Sequence, residues 1–323
     1  MTNTQKGMLA GFSGNFIFGL SFLFSTRAFG AAASVLADSG AANGADVPVV
    51  LAVRFLFALA LMTVLMPVLK IKLHFRGKPV WKLVLLGIFQ PVIYFVGESF
   101  GLKSTGIVVS SVMIALIPVL CQVFSALFLR EAPGLLQVVF CVLSVAGVIA
   151  VTVLSGGGGK TYLTGIVFLG VAVLSAVAFN VLSRNTASVF TPFERTYFMF
   201  IVAAVFFTGY ALFSTGFRPA LIAKPLASPA FTVSILYLGG LSSVFAYLMV
   251  NYANTYLPLT RSTVFSNVIT VVSTAAGFLA GEPFSLATLL ACALIVIGVW
   301  GVQRFSPKAP ERAIPPRNTQ QSR

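Results

Sequence analysis

Few side chains in this sequence could do chemistry, and two of them sit where charge is costly. Arg54 falls in the apolar run 48–69 and Glu98 in the apolar run 81–101. An ionisable group inside a bilayer costs several kcal/mol, so it is paired, faces a cavity, or works. Arg54 lies six residues into its run, roughly 9 Å at 1.5 Å per residue, and Glu98 lies at a similar depth from the end near Lys103. The two are expected to face each other. Their chemistry is then either a charge pair that fixes the packing of two helices, or a site at which Glu98 accepts a proton or the pair engages a charged substrate. Around them, Asn15, Tyr94, Ser111, Ser175, Ser242, Tyr247 and Asn267 are the polar candidates for a binding cavity. Serine in such runs commonly serves close packing. Asn15 and Asn267 stand out because an amide in lipid must find partners, and Tyr94 would give an aromatic wall with a hydroxyl.

Other chemistries find little support. His74 lies among Lys70, Lys72, Arg76 and Lys78 with no second histidine, and reads as a solvated loop residue. Cys121, Cys141 and Cys292 sit inside apolar runs without paired spacing, as small core residues do. The stretch Gly156–Thr161 reads GGGGKT, but a phosphate loop would need glycine at 154, where Leu154 stands, and a preceding strand. No metal or cofactor is expected. Glu194 beside Arg195 suits an interfacial helix N-terminus. Glu131 and Glu282 read the same way, with Pro133 and Pro283 in the first turns that follow.

The elements that must position these residues are helices in a membrane. The 323-residue chain is 58% hydrophobic and 9% charged, against about 45–50% and about 25% in soluble domains. A net charge of +14 would suggest nucleic acid in a soluble protein, yet the basic residues lie in loops and at the tail, where membrane orientation puts them. No nucleic-acid partner is expected. Spans of about 20 apolar residues are predicted at 7–26, 48–69, 81–101, 105–129, 134–154, 162–182, 193–213, 230–253, 258–280 and 284–303. The first run is long for a signal peptide and stays a helix. Val109–Gly147 resembles Thr260–Gly298: setting Glu131 on Glu282 also sets Gly147 on Gly298. Five spans precede the glycine linker and five follow it, so the second half enters the membrane in the opposite sense. The fold class is therefore an all-α integral membrane protein of ten transmembrane helices in two inverted five-helix repeats. The first repeat is 1–155, the linker 156–161, the second repeat 162–304, and 305–323 a basic, disordered cytoplasmic tail. The positive-inside rule places the 70–82 hairpin and both termini in the cytoplasm.

With these elements in place, the chain resembles the drug/metabolite transporter superfamily in its ten-helix EamA-type branch. The residues that carry the resemblance are Arg54-Phe55, Pro118, Arg130-Glu131 and Gly147 in the first half, and Tyr247, Gly281-Glu282 and Gly298 in the second. It extends to about Arg304, and departs where the family's proline in helix 9 is replaced near Ile269, which removes the reason for a kink there. The resemblance implies a central cavity lined by helices 1, 3, 4, 6, 8 and 9, with helices 5 and 10 peripheral. It implies outward transport of small organic metabolites, such as amino acids or amphiphilic amines, by alternating access in a bacterial plasma membrane. A proton or counter-solute would couple the cycle, and the chain would work as a monomer or homodimer in the lipid bilayer. The competing readings are a scaffold or sensor and a lipid-active enzyme. The enzyme would need clustered acids or a nucleophile with its base, and the chain is read as no enzyme.

Overall fold

The structure is a computed structural model, and it describes residues 2–37, 39–71, 73–129, 134–154, 160–257, 262, 265–281 and 286–305. Among them every regular element is a helix. Six helical stretches are long and apolar enough to cross a bilayer: Asn3–Leu36, Asp46–Val68, Trp81–Ile114, Tyr162–Thr186, Pro192–Ser214 and Pro229–Tyr256. The surface has membrane character. Val205, Phe213 and Leu279 are more than 70% exposed, while Arg54, Arg195 and Asn251 are almost fully buried, because lipid rather than water is the outer solvent.

Helix α1 (Asn3–Leu36) runs ten residues past the predicted end at 26. The alanines at 31–33 are strong helix formers and extend the helix where the sequence reading placed a loop. Its start is a capping box, in which Gln5 N donates to the Thr2 hydroxyl and Thr2 N to the Gln5 side chain. Helix α2 (Asp46–Val68) follows. Helix α3 (Trp81–Gly87), a π turn (Ile88–Ile93) kinked at Gln90 (φ −144°, ψ 116°) and α4 (Tyr94–Ile114) form one broken stretch. Gly106, at φ 83° and ψ 177°, breaks it again where the sequence separates the third and fourth spans. Only glycine holds that backbone without strain. Helices α5 (Leu116–Leu129) and α6 (Leu135–Leu154) complete the first half.

The second half opens with α7 (Lys160–Thr186) and α8 (Pro192–Ser214), then the short α9 (Pro219–Ala223). Helix α10 (Pro229–Ile235), a π segment (Leu236–Ala246) and α11 (Tyr247–Tyr256) make a second interrupted span. Helix α12 (Ser266–Leu279) passes Ile269 without a break, and α13 (Leu286–Arg304) is last. Glu131, Glu282, Pro133, Pro283, the glycine linker and the tail after 305 lie outside the described residues.

Helix α6 packs on α13, α2 on α8, α4 on α7, and α1 on both α11 and α12. Small residues set the closest approaches. A Cβ on Gly97 of α4 would sit 2.5 Å from the Phe168 carbonyl oxygen and 3.1 Å from Ala172 on α7. The backbones therefore touch there, as they do in glycine-mediated membrane crossings. Gly97→Leu is expected to lower stability by about 1–3 kcal/mol through overpacking, read as earlier loss of monodisperse protein on heating in detergent. A Gly97→Leu protein as heat-stable as the parent would show that the crossing is not tight.

At one end of the bundle Glu194 is the third residue of a capping box with Thr191. It also accepts from His74 N at 2.9 Å and pairs with Lys78 at 3.3 Å. It thus pins the 70–80 loop to the start of α8, in line with a structural role at a helix N-terminus. At the other end Lys103 pairs with Asp46 at 2.6 Å. Cys121 is buried in the core, and the side chains of Cys141 and Cys292 lie outside those described.

Candidate functional site

Helices α1, α2, α4, α5, α7, α11 and α12, with the segments Ile88–Ile93 and Leu236–Ala246, surround a central cavity of about 70 Å³. Among the described residues none from α6 or α13 lines it. Compared with the expected wall of helices 1, 3, 4, 6, 8 and 9, the addition is helix 2, which enters through Arg54.

Arg54 is 2% exposed. Its Nε donates to Ser243 Oγ at 2.9 Å and its Nη2 to Ser242 Oγ at 3.0 Å. Ser21 Oγ of α1 donates to Ser242 Oγ at 2.7 Å, so one hydroxyl cluster joins α1, α2 and the second π segment. The guanidinium carbon lies 4.3 Å from the centre of the Phe95 ring and 5.5 Å from that of Phe55, within reach of cation–π attraction. These partners engage Nε and Nη2 without cancelling the charge.

Glu98 projects into the same cavity from α4, where Tyr94, one turn earlier, donates its hydroxyl to Oε1 at 3.0 Å. The expected meeting of Arg54 and Glu98 takes a different form from a charge pair. They share a cavity, but among the described residues the ion pairs within 4.0 Å are Lys78–Glu194 and Lys103–Asp46 only. The reason lies in the tether: the serines of the π segment hold the guanidinium on the α11 side.

Tyr247 is the aromatic hub. Phe18, Phe200, Phe179 and Phe95 surround its ring with centroids 5.1, 5.7, 6.4 and 6.5 Å away. Its hydroxyl is buried without a well-formed hydrogen bond, and Gln90 of the first π turn is its polar neighbour. π segments displace side chains by a fraction of a turn and recur at functional sites. Here the π segment Leu236–Ala246 delivers Ser242, while Gln90 reaches the lining from the extended backbone of a kink (φ −144°, ψ 116°).

Of the nine candidates from the sequence, Asn15, Arg54, Tyr94, Glu98, Ser242 and Tyr247 line the cavity. Ser111, Ser175 and Asn267 lie outside the lining. Ser111 donates to Val108 O at 2.8 Å and its carbonyl accepts from Thr270 at 3.1 Å, which knits α4 to α12. Ser175 donates to Phe89 O, one residue before Gln90. Asn267 has its Oδ1 buried without a hydrogen bond while its neighbour Ser266 reaches the cavity. Asn15 spends its amide on Gly11 O at 2.6 Å. The sequence reading passed over Ser21, Gln90, Asn180 and Asn254 as lining residues. The rule that singled out Asn15, an amide within an apolar helix, applies equally to Asn180 and Asn254.

A second polar cluster borders the cavity. Arg195 of α8 is 0% exposed. Its Nη1 donates to Ser183 O and Oγ, both at 2.8 Å, and its Nη2 to Asn251 O at 2.8 Å and to Thr255 Oγ1. Arg184 donates to the carbonyls of Asn254, Thr255 and Leu257. Together they supply donors to the C-terminal end of α11, where helix carbonyls lack partners. Asn254 lines the cavity, so this clamp fixes part of its rim. Among the described residues no three His, Cys, Asp or Glu side chains come together as metal ligands.

A chain with this architecture is similar to known proteins along nearly its whole length. The model of the EamA-like transporter family matches twice, over residues 5–153 and 163–304. The chain is 32% identical over 293 residues to the uncharacterized transporter YcxC of Bacillus subtilis (strain 168), covering 89% of each protein. It is 28% identical over 252 residues to an uncharacterized transporter of Archaeoglobus fulgidus, covering 78% of this chain and 86% of that one. A solved crystal structure shares the fold with a TM-score of 0.63 at 20% identity, over 94% of this chain and 98% of the other.

Proposed function

The chain belongs to the EamA-like transporter family, and from that premise we propose that it is a secondary transporter of small organic metabolites, such as amino acids or amphiphilic amines, which it moves outward by alternating access. The observation that carries the proposal is one polar cavity, with an arginine and a carboxylate that do not pair, closed between helices of both halves. A buried charge without an ionic partner is costly, and a site that leaves two open is arranged for something that arrives.

The helices read best as ten spans in two inverted halves, 1–155 and 162–304. If α1 corresponds to α7, α3–α4 to α10–α11, α5 to α12 and α6 to α13, then α1 on α11 and α4 on α7 are the same contact seen twice. The contacts of α1 with α12 and of α7 with α5 are another such pair. Both spans are also interrupted, one by the kink at Gln90 and the other by the π segment Leu236–Ala246, which supports the same correspondence. Halves related this way can rock about a shared site, which is how inverted repeats give alternating access. The basic 70–82 hairpin favours cytoplasmic termini, and a proton or counter-solute gradient would drive the cycle.

The test is counterflow in proteoliposomes preloaded with unlabelled bacterial metabolites and given labelled tracers outside. Uptake of at least one tracer about tenfold above protein-free vesicles is expected. Tracer levels equal to those in empty vesicles, across amino acids and amines alike, would overturn transport. Turnover of vesicle lipid in the same assay would favour an enzyme instead.

A further inference from the structure

We propose that the cavity selects net-neutral zwitterions, with Arg54 receiving a carboxylate and Glu98 an ammonium group as two separate poles. The inference rests on the transport reading above and narrows its solutes, placing α-amino acids ahead of amines.

The geometry begins with what each pole has left to offer. Arg54 has five N–H donors; Nε and Nη2 are engaged by Ser243 and Ser242, and Nη1 makes no hydrogen bond among the described residues. Among the described residues Glu98 accepts one hydrogen bond, on Oε1 from Tyr94, and Oε2 takes none. Neither Nη1 nor Oε2 is a sealed, unsatisfied atom, and both residues line the cavity. The two groups lie beyond 4.0 Å of each other, so a ligand need not break an internal ion pair to reach either.

Charge balance then selects the ligand. The groups that face Glu98 with charge or a titratable proton are Arg54 from α2, Tyr247 from α11 and Tyr94 of its own helix. Helices α1, α7 and α12 present Phe18, Asn15, Phe179, Asn180 and Ile269 to the cavity. With Glu98 ionised, the site carries one positive and one negative formal charge. A lone amine would gain Glu98 but meet the Arg54 guanidinium uncompensated, and a lone carboxylate would meet the reverse. In a low-dielectric pocket such unmatched charge is expensive. A zwitterion satisfies both poles at once, and the phenyl rings around Tyr247 suit an apolar side chain.

The experiment uses three probes that share one side chain and differ in charge: L-leucine, L-leucine methyl ester (a cation) and N-acetyl-L-leucine (an anion). Each is tested as a competitor of metabolite counterflow by the full chain in proteoliposomes. For the wild type, leucine should compete at least tenfold more strongly than either derivative. Glu98→Gln should shift the ratio of N-acetyl-leucine to leucine competition by at least tenfold towards the anion. Arg54→Gln should shift it in the opposite sense, towards the ester. Should the arginine variant fail to fold, the glutamate variant alone still decides. A wild type that ranks the ester or the N-acetyl compound equal to leucine, or that exchanges solutes while none of the three competes, overturns the zwitterion site but leaves transport standing. Loss of competition by all three probes in equal measure in Glu98→Gln overturns it as well. Absence of counterflow for every solute would instead bring down the transport reading itself.

Discussion

Arg54→Met is expected to cut solute exchange by about 10–100-fold while leaving the folded protein about as heat-stable as the parent. Two physical terms set this opposite pair of outcomes. A hydrogen bond to a charged group contributes about 1.5–3 kcal/mol, which in a binding step corresponds to roughly that loss of rate at low solute. On the stability side, Arg54 is a buried cation without an ionic partner, held by two serine hydroxyls and the faces of Phe95 and Phe55. Replacing a buried charge by an apolar side chain of similar volume is often neutral or stabilising. Ser242 already accepts from Ser21 and so keeps a partner, while the Ser243 hydroxyl gives up its bond from Nε. Arg54→Lys should recover only part of the exchange, because an ammonium cannot span both hydroxyls and stack on a ring at once. Solute exchange by metabolite counterflow and melting in detergent measure the two halves of this prediction. A large loss of stability with unchanged specific exchange would make Arg54 a packing residue.

Arg195→Met is expected to behave in the reverse way. The Arg195 side chain is fully buried and bonded to Ser183, Asn251 and Thr255, so it ties α7, α8 and α11 together. Its removal breaks four charge-assisted hydrogen bonds that join three helices, although Ser183 O and Asn251 O keep Thr186 and Thr255 as donors, at a cost of about 2–4 kcal/mol. At about 2–4 °C per kcal/mol for a large domain, the melting temperature should fall by roughly 5–15 °C. Specific exchange per folded molecule should change far less than in Arg54→Met, because Arg195 does not line the cavity. The melting curve of the purified variant reads it directly. An unchanged midpoint would mean that the clamp at the end of α11 contributes little.

The two arginines show how far the sequence could be read. Arg54 and Glu98 were visible because charge inside an apolar run is rare, and their depth from the helix ends put them near one level. Their failure to pair was not visible. It depends on the register of Ser242 and Ser243, which the π segment Leu236–Ala246 sets, and no local pattern of hydrophobic residues announces a π turn. The cavity wall was legible where one amide stood alone, as at Asn15, and less so where the wall is aromatic. Phe18, Phe95 and Phe179 are chemically the same as the many phenylalanines that face lipid. The six long apolar stretches lie where length and hydropathy alone place spans, whereas the overrun of α1 to Leu36 reflects helix propensity beyond the apolar stretch. Ser111 and Ser175 illustrate the opposite case, hydroxyls that knit helices or bond a backbone carbonyl instead of reaching solute.

The central claim is that solute occupies the cavity between the halves. It is tested most directly by solute protection of a single cysteine, in a chain whose three native cysteines are replaced by alanine. Asn180→Cys places the thiol on the cavity wall, and Val167→Cys places it on the exposed apolar surface of α7, outside the central cavity. A saturating transported solute should slow alkylation of the cysteine at 180 severalfold and leave the one at 167 unchanged. Equal alkylation rates at 180 with and without a solute that the same protein exchanges would place the path elsewhere.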